Sequence, residues 1–161
     1  MTQKLKSRLL VRWLAIAIAV AGLAQGPLFA AQGPPQAGPP PTEDPHIAEE
    51  QAAERQALGY LGYLDQGKYA DSYAYTGMLI RAQLDRDAYS TQIAKTRAGV
   101  GTLQSRALVD AGYTTTVSGA PEGQYVILHY QASFANRQDA VETVYLGFAK
   151  GYWRVDGYNI K

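Results

Sequence analysis

Residues 124–161, QYVILHYQASFANRQDAVETVYLGFAKGYWRVDGYNIK, decide the fold. Alternate side chains of a β-strand point to opposite faces of its sheet. Counted two by two, this stretch puts Val126, Leu128, Tyr130, Ala132 and Phe134 on one face, then Val144, Leu146 and Phe148, then Trp153 and Val155. The alternation breaks at Asn136 to Asp139 and at Lys150-Gly151, a two-residue hairpin turn. The pattern predicts three antiparallel strands over Gln124–Phe134, Val141–Ala149 and Tyr152–Ile160. A sheet with one apolar face needs other elements to cover it.

Upstream, Leu103–Val117 is rich in β-branched residues and predicts a further strand, with an irregularity at Ala111-Gly112. Ser118 to Gly123 is a turn by composition. The cover comes from helices. Over His46–Gln66, Ala53, Ala57, Tyr60, Leu61 and Leu64 fall on one stripe, and Gly67 is a natural stop. A short second helix is predicted over Lys68–Tyr75, and Met78, Leu79 and Ala82 suggest another turn or two. A third, capped by Asp85 or Asp87, runs to about Ala98, where Gly99 and Gly101 end it. The expected architecture is α+β: three N-terminal helices packed on a curved four-stranded antiparallel sheet, in a single cone-like domain over residues 47–161.

Residues 1–30 look like an export signal. Lys4, Lys6, Arg8 and Arg12 make a basic start, and Trp13–Leu23 is an apolar run too short to span a bilayer comfortably. Cleavage after Ala24 or Ala30 fits the preference for small residues. The run is followed by no cysteine, which excludes a lipid anchor there. Residues 31–46 hold most of the prolines and form a linker expected to be extended. The expected location is periplasmic or secreted, with membrane contact only through the signal if it is left uncleaved.

The chain has 161 residues, a formal net charge of +1 and no cysteine. A near-neutral chain is a poor nucleic-acid binder, since no basic stripe is available for phosphates. Without cysteine there is neither a disulfide framework nor a thiolate metal site. A mean hydropathy of −0.23 argues against several membrane spans.

Several short motifs occur in order: Ala98-Gly-Val-Gly101, Ser105-Arg106, Pro121-Glu-Gly-Gln-Tyr-Val126, Ser133-Phe-Ala-Asn136, Ala140-Val-Glu-Thr-Val144 and Trp153-Arg-Val-Asp-Gly-Tyr158. From about Ala48 to Lys161 the chain resembles the bacterial family called domain of unknown function 4019. That family is similar to the cone-shaped superfamily of nuclear transport factor two, where helices pack into a curved sheet. Tyr60, Tyr73 and Tyr89 stand where tryptophans are usual in it. The resemblance implies a fold and an envelope location, and brings no catalytic residue.

Enzymes of the superfamily place an acid–base pair inside the cone, and such chemistry needs a base within hydrogen-bond reach of the substrate proton. Of the two histidines, His46 ends the linker, and His129 alternates with Leu128 and Tyr130 and so points away from the apolar face. Two histidines so far apart also make a poor metal site. No catalytic residue, metal ligand or cofactor is assigned. Two surfaces remain. Glu142 shares the apolar face by parity, and Arg97 shares the third helix's stripe with Tyr89 and Ile93, so opposite charges are aimed at one interior. Arg106 is the alternative partner, and these three are the candidate ligand-binding residues. The opposite face carries Tyr125, His129, Tyr145, Arg154 and Tyr158, a tyrosine- and arginine-rich composition typical of contact surfaces. The expected function is a non-catalytic binding or interaction module, pairing with itself or with an envelope protein through that face. The alternative is a small-molecule binder or enzyme using the cone interior.

Overall fold

A computed structural model describes residues 44–161. The export signal over residues 1–30 and most of the linker over residues 31–46 lie outside the described residues. Helix α1 (Ile47–Asp65) is followed by a single turn, α2 (Tyr69–Ser72), which continues as a tighter turn over Tyr73–Tyr75. Then come α3 (Met78–Gln83), α4 (Arg86–Arg97), and strands β1 (Leu103–Thr114), β2 (Tyr125–Phe134), β3 (Arg137–Ala149) and β4 (Tyr152–Ile160). The strands form one antiparallel sheet in the order β1-β2-β3-β4. The fold is α+β, with the helices N-terminal to the sheet.

Each boundary has a local cause. Gly67 takes a φ of +70° beyond α1, its N–H donates to Leu64 O and the Lys68 N–H donates to Tyr63 O. Those are the two bonds of a Schellman stop, and glycine meets its left-handed φ without strain. At the start of α4 the Asp85 carboxylate accepts from the Ala88 N–H at 2.8 Å. The β3–β4 turn has positive φ at both Lys150 and Gly151, as a primed two-residue hairpin requires.

The core forms where α1 meets the sheet. Ala53, Ala57, Tyr60, Leu61 and Leu64 pack with Val126, Leu128, Tyr130, Val144, Leu146, Trp153 and Val155, and α4 adds Tyr89 and Ile93. A smaller cluster of Val100, Ala132, Phe134 and Ala140 closes the far end. Phe148 belongs to the apolar face by parity but is 42% exposed, because it lies at the strand end, where its ring meets Trp153.

Register slips in β1 and β4 depart from simple alternation. In β1 the register slips at Gln104 and at Val109 rather than at Ala111-Gly112. In β4, Tyr145 pairs with Gly157 but Leu146 pairs with Val155, so Asp156 is an extra residue. Such a bulge reverses the facing of everything beyond it. Tyr158 therefore pairs with Val144 on the helix side of the sheet. This corrects its expected place on the opposite face.

Candidate functional site

Asp65 ends α1, Arg97 ends α4, Arg106 sits on β1 and Glu142 on β3, and the fold brings all four together between helices and sheet. Glu142 is fully buried and Arg97 nearly so. Arg97 Nη1 donates to Glu142 Oε1 at 2.9 Å, and its Nη2 donates to Asp65 Oδ1 at 2.7 Å. Arg106 Nε donates to Glu142 Oε2 at 2.6 Å, while its Nη1 and Nη2 donate to the two Asp65 oxygens at 2.7 and 3.0 Å. Tyr158 completes the group: its hydroxyl donates to Glu142 Oε1 at 2.6 Å and accepts from Arg97 Nη1 at 3.1 Å. The Phe134 ring lies 4.8 Å below the Arg97 guanidinium. Aromatic faces attract a cation in this position.

The four charges cancel. Desolvating them is costly, and only complete mutual pairing with good geometry offsets that cost. Burial alone would lower both guanidinium pKa values, but Tyr158, Asp65 and Glu142 hold Arg97 above its ordinary value, and Asp65 and Glu142 do the same for Arg106. Burial and the neighbouring Glu142 charge push the Tyr158 phenol up, so it stays a donor. The planar forks of arginine suit this two-by-two arrangement, which lysine could not reproduce. Each carboxylate already accepts from both arginines, so the cluster ties the ends of α1 and α4 to the sheet.

Arg97, Glu142 and Arg106 thus lie in one cluster, and the sequence reasoning missed Asp65. A signal existed. Asp65 is four residues beyond Leu61 on the buried stripe, and an acid at a helix C-terminus opposes the helix dipole. Such a residue needs cations from elsewhere.

A second buried polar chain stands beside the first. Tyr89 donates to Tyr60 Oη at 3.0 Å, and Ser72 Oγ lies 2.9 Å from Tyr89 Oη. These hydroxyls tie α4 to α1 and α2. Burial, then the Tyr89 neighbour, hold the Tyr60 phenol well above its ordinary value.

The opposite face of the sheet gathers only some of its predicted residues. Tyr125 and Tyr145 line one hollow of about 540 Å³ with Ile127, Leu79 and Gln83 of α3, and the 116–120 loop. The Tyr125 hydroxyl donates to Pro121 O, which fixes one wall. His129 stands beyond Ile127, with Nδ1 3.1 Å from Thr143 Oγ1. Arg154 lies apart at the β3–β4 end, its guanidinium 5.5 Å from the Tyr152 ring centroid. Tyr158 belongs to the interior cluster. This side is therefore partly roofed by α3. Its anchor is Asp156, whose Oδ1 accepts from the Leu79 N–H at 2.9 Å and which also accepts from the Ile80 N–H. Gly77 and Gly147 leave room for that carboxylate, since a Cβ on either would collide with it.

A family model described as "Protein of unknown function (DUF4019)" matches residues 56–158. The chain belongs to that family. The matched span contains the whole interior cluster, from Asp65 to Tyr158, and the whole sheet hollow. Among curated proteins, none matches the chain. Membership in DUF4019 thus attaches a fold-bearing region to a family described only as being of unknown function.

Proposed function

We propose that this chain is an exported bacterial envelope protein whose domain is a non-catalytic binding module. Its fold suits the cone-shaped superfamily of nuclear transport factor two, with helices laid against one face of a four-stranded sheet. The partner, a second copy or another envelope protein, sits in the hollow lined by Tyr125, Ile127 and Tyr145. One contrast carries this reading. The interior charges are occupied by one another, whereas the sheet hollow of about 540 Å³ is lined by Tyr125, Tyr145, Ile127 and Leu79 beside the polar Gln83 and Asp156. A hollow that reaches Tyr89 and Tyr158 from the helix side is about 200 Å³. Ligand pockets usually enclose about 300–1,000 Å³, which favours the sheet side over the interior.

Sedimentation of the wild type and of Tyr145→Glu tests the binding face. A charge placed in a contact surface costs its desolvation, whereas the same charge on a free face is tolerated. Tyr145→Glu is expected to lose self-association, or cross-linking to an envelope partner, with its thermal midpoint unchanged. Association that is indifferent to Tyr145→Glu would refute the assignment. For export, the basic start, the short apolar run and the small residues beyond it support cleavage before the proline-rich stretch. An intact mass that still includes Met1–Leu23 would count against a soluble exported form.

A further inference from the structure

Three large apolar side chains are exposed at one end of the domain: Met78 at 66%, Phe148 at 42% and Tyr152 at 64%. Met78 and Phe148 border one hollow, and Met78 and Tyr152 border another, of about 590 Å³. Arg81, Lys150 and Arg154 line the second hollow. Lys150 stands at the hairpin turn, and neither it nor Arg154 has an ion-pair partner among the described residues. Arg81 is held in place, its Nε donating to Thr76 O at 3.0 Å and its Nη2 to Tyr73 O at 2.9 Å. Of these two hollows, Glu122 and the half-buried Asp156 border the one between Met78 and Phe148 and not the one beside Tyr152, which is lined by cations.

The facing of these residues points to the partner. Phe148 pairs with Trp153 on the helix side of the sheet, and Tyr152 pairs with Ala149 on the other. A rigid partner docked on either face would meet only one of the two rings. A fluid layer receiving the end of the hairpin meets both. Aromatic rings favour the headgroup layer of a bilayer, and lysine and arginine reach phosphates from apolar stems. We infer that the β3–β4 end docks on an anionic phospholipid surface, with Tyr152, Phe148 and Met78 entering the headgroup layer and Lys150, Arg154 and Arg81 meeting lipid phosphates. This inference is independent of the partner hollow beside Tyr145.

The chain has no cysteine, so a single introduced one carries a unique label. The full chain carries an environment-sensitive fluorophore at Ala149→Cys, next to the turn, or at Gln138→Cys, near the start of β3 at the opposite end of the sheet. Each is mixed with vesicles of phosphatidylcholine alone and of phosphatidylcholine with phosphatidylglycerol. The Ala149 label is expected to shift to the blue on the anionic vesicles only, and the Gln138 label to stay unchanged. Removing charge by Lys150→Gln and Arg154→Gln is expected to weaken binding about fivefold each. The local label separates this contact from any made by the apolar N-terminal run. A chain that sediments with vesicles while the Ala149 label stays silent overturns the inference. So does an equal shift of both labels, or an equal response to neutral vesicles.

Discussion

On the helix side of the sheet, Glu142 is fully buried and its two oxygens accept from Arg97, Arg106 and Tyr158. On the other side, Tyr145, three residues along the same strand, makes no side-chain hydrogen bond among the described residues and leans on Gly157. One strand thus carries a polar group that is completely engaged and another that is left available. The difference lies in what each face meets. Two helix ends bring Asp65 and Arg97 down onto Glu142, whereas only the six residues of α3 and a turn approach Tyr145. A buried charge is tolerated only where its partners are guaranteed by the fold, so the interior side is a structural commitment. The outer side is where surface remains for a partner.

The sharpest way to break this contrast is to remove one interior charge. Glu142→Ala leaves two guanidinium groups short of an acceptor, and Arg97→Ala leaves two carboxylates short of a donor. Each is expected to cost about 3–5 kcal/mol in denaturant unfolding, the usual penalty for leaving a buried ion uncompensated. The double variant should cost clearly less than the sum, because the second deletion removes a charge already left unpaired. Single losses under about 1 kcal/mol that add independently would mean that the cluster is solvated and the two faces are alike.

A pair of tyrosines sharpens the same contrast at smaller scale. Tyr158→Phe deletes a donor to a buried carboxylate, and hydrogen bonds to charged groups contribute about 1.5–3 kcal/mol. Tyr145→Phe deletes a hydroxyl on the outer face and should stay within about 0.5 kcal/mol of the wild type. Equal losses at the two sites, read from urea midpoints at constant slope, would remove the distinction.

These two tyrosines also show where the sequence stopped being legible. Strict alternation assigned Glu142 and Tyr145 to opposite faces, and helical spacing turned Arg97 inward, so the central ion pair could be anticipated from period alone. Alternation then carried Tyr158 to the wrong face, because the extra residue at Asp156 has no marker in a string of residue types. The helices on the interior side announced themselves by a stripe of five apolar residues in α1. The six-residue α3 has no such stripe, so its partial roof over Tyr125 and Tyr145 was not foreseeable. The start of α3 is held there by the Asp156 carboxylate, distant in sequence, beside the Gly77 N–H bond to Val155 O.

That carboxylate gives the finest test. Asp156 is pushed above its ordinary value of 3.8 by burial, while the Leu79 and Ile80 amides pull it part of the way back. Glu122 and the tyrosines Tyr125, Tyr145 and Tyr158 line the hollows it shares. A folded-state pKa above the unfolded one means that the fold binds this proton more tightly than the unfolded chain does. The stability it contributes is therefore fully present below the ordinary value and is lost as pH rises through the raised one. Asp156→Asn keeps an acceptor for the two amides and cannot ionise. Relative to the variant, the wild type should be most stable in acid and lose ground as pH rises through that interval, with a plateau beyond it. Asp156→Ala removes the acceptor at every pH and should cost about 1 kcal/mol, as for other lost helix caps. Thermal midpoints of the three proteins across mildly acidic pH give the answer. If the wild type gains on Asp156→Asn as pH rises, the amides outweigh burial, and the outer face guarantees this half-buried carboxylate as firmly as the inner face does its own.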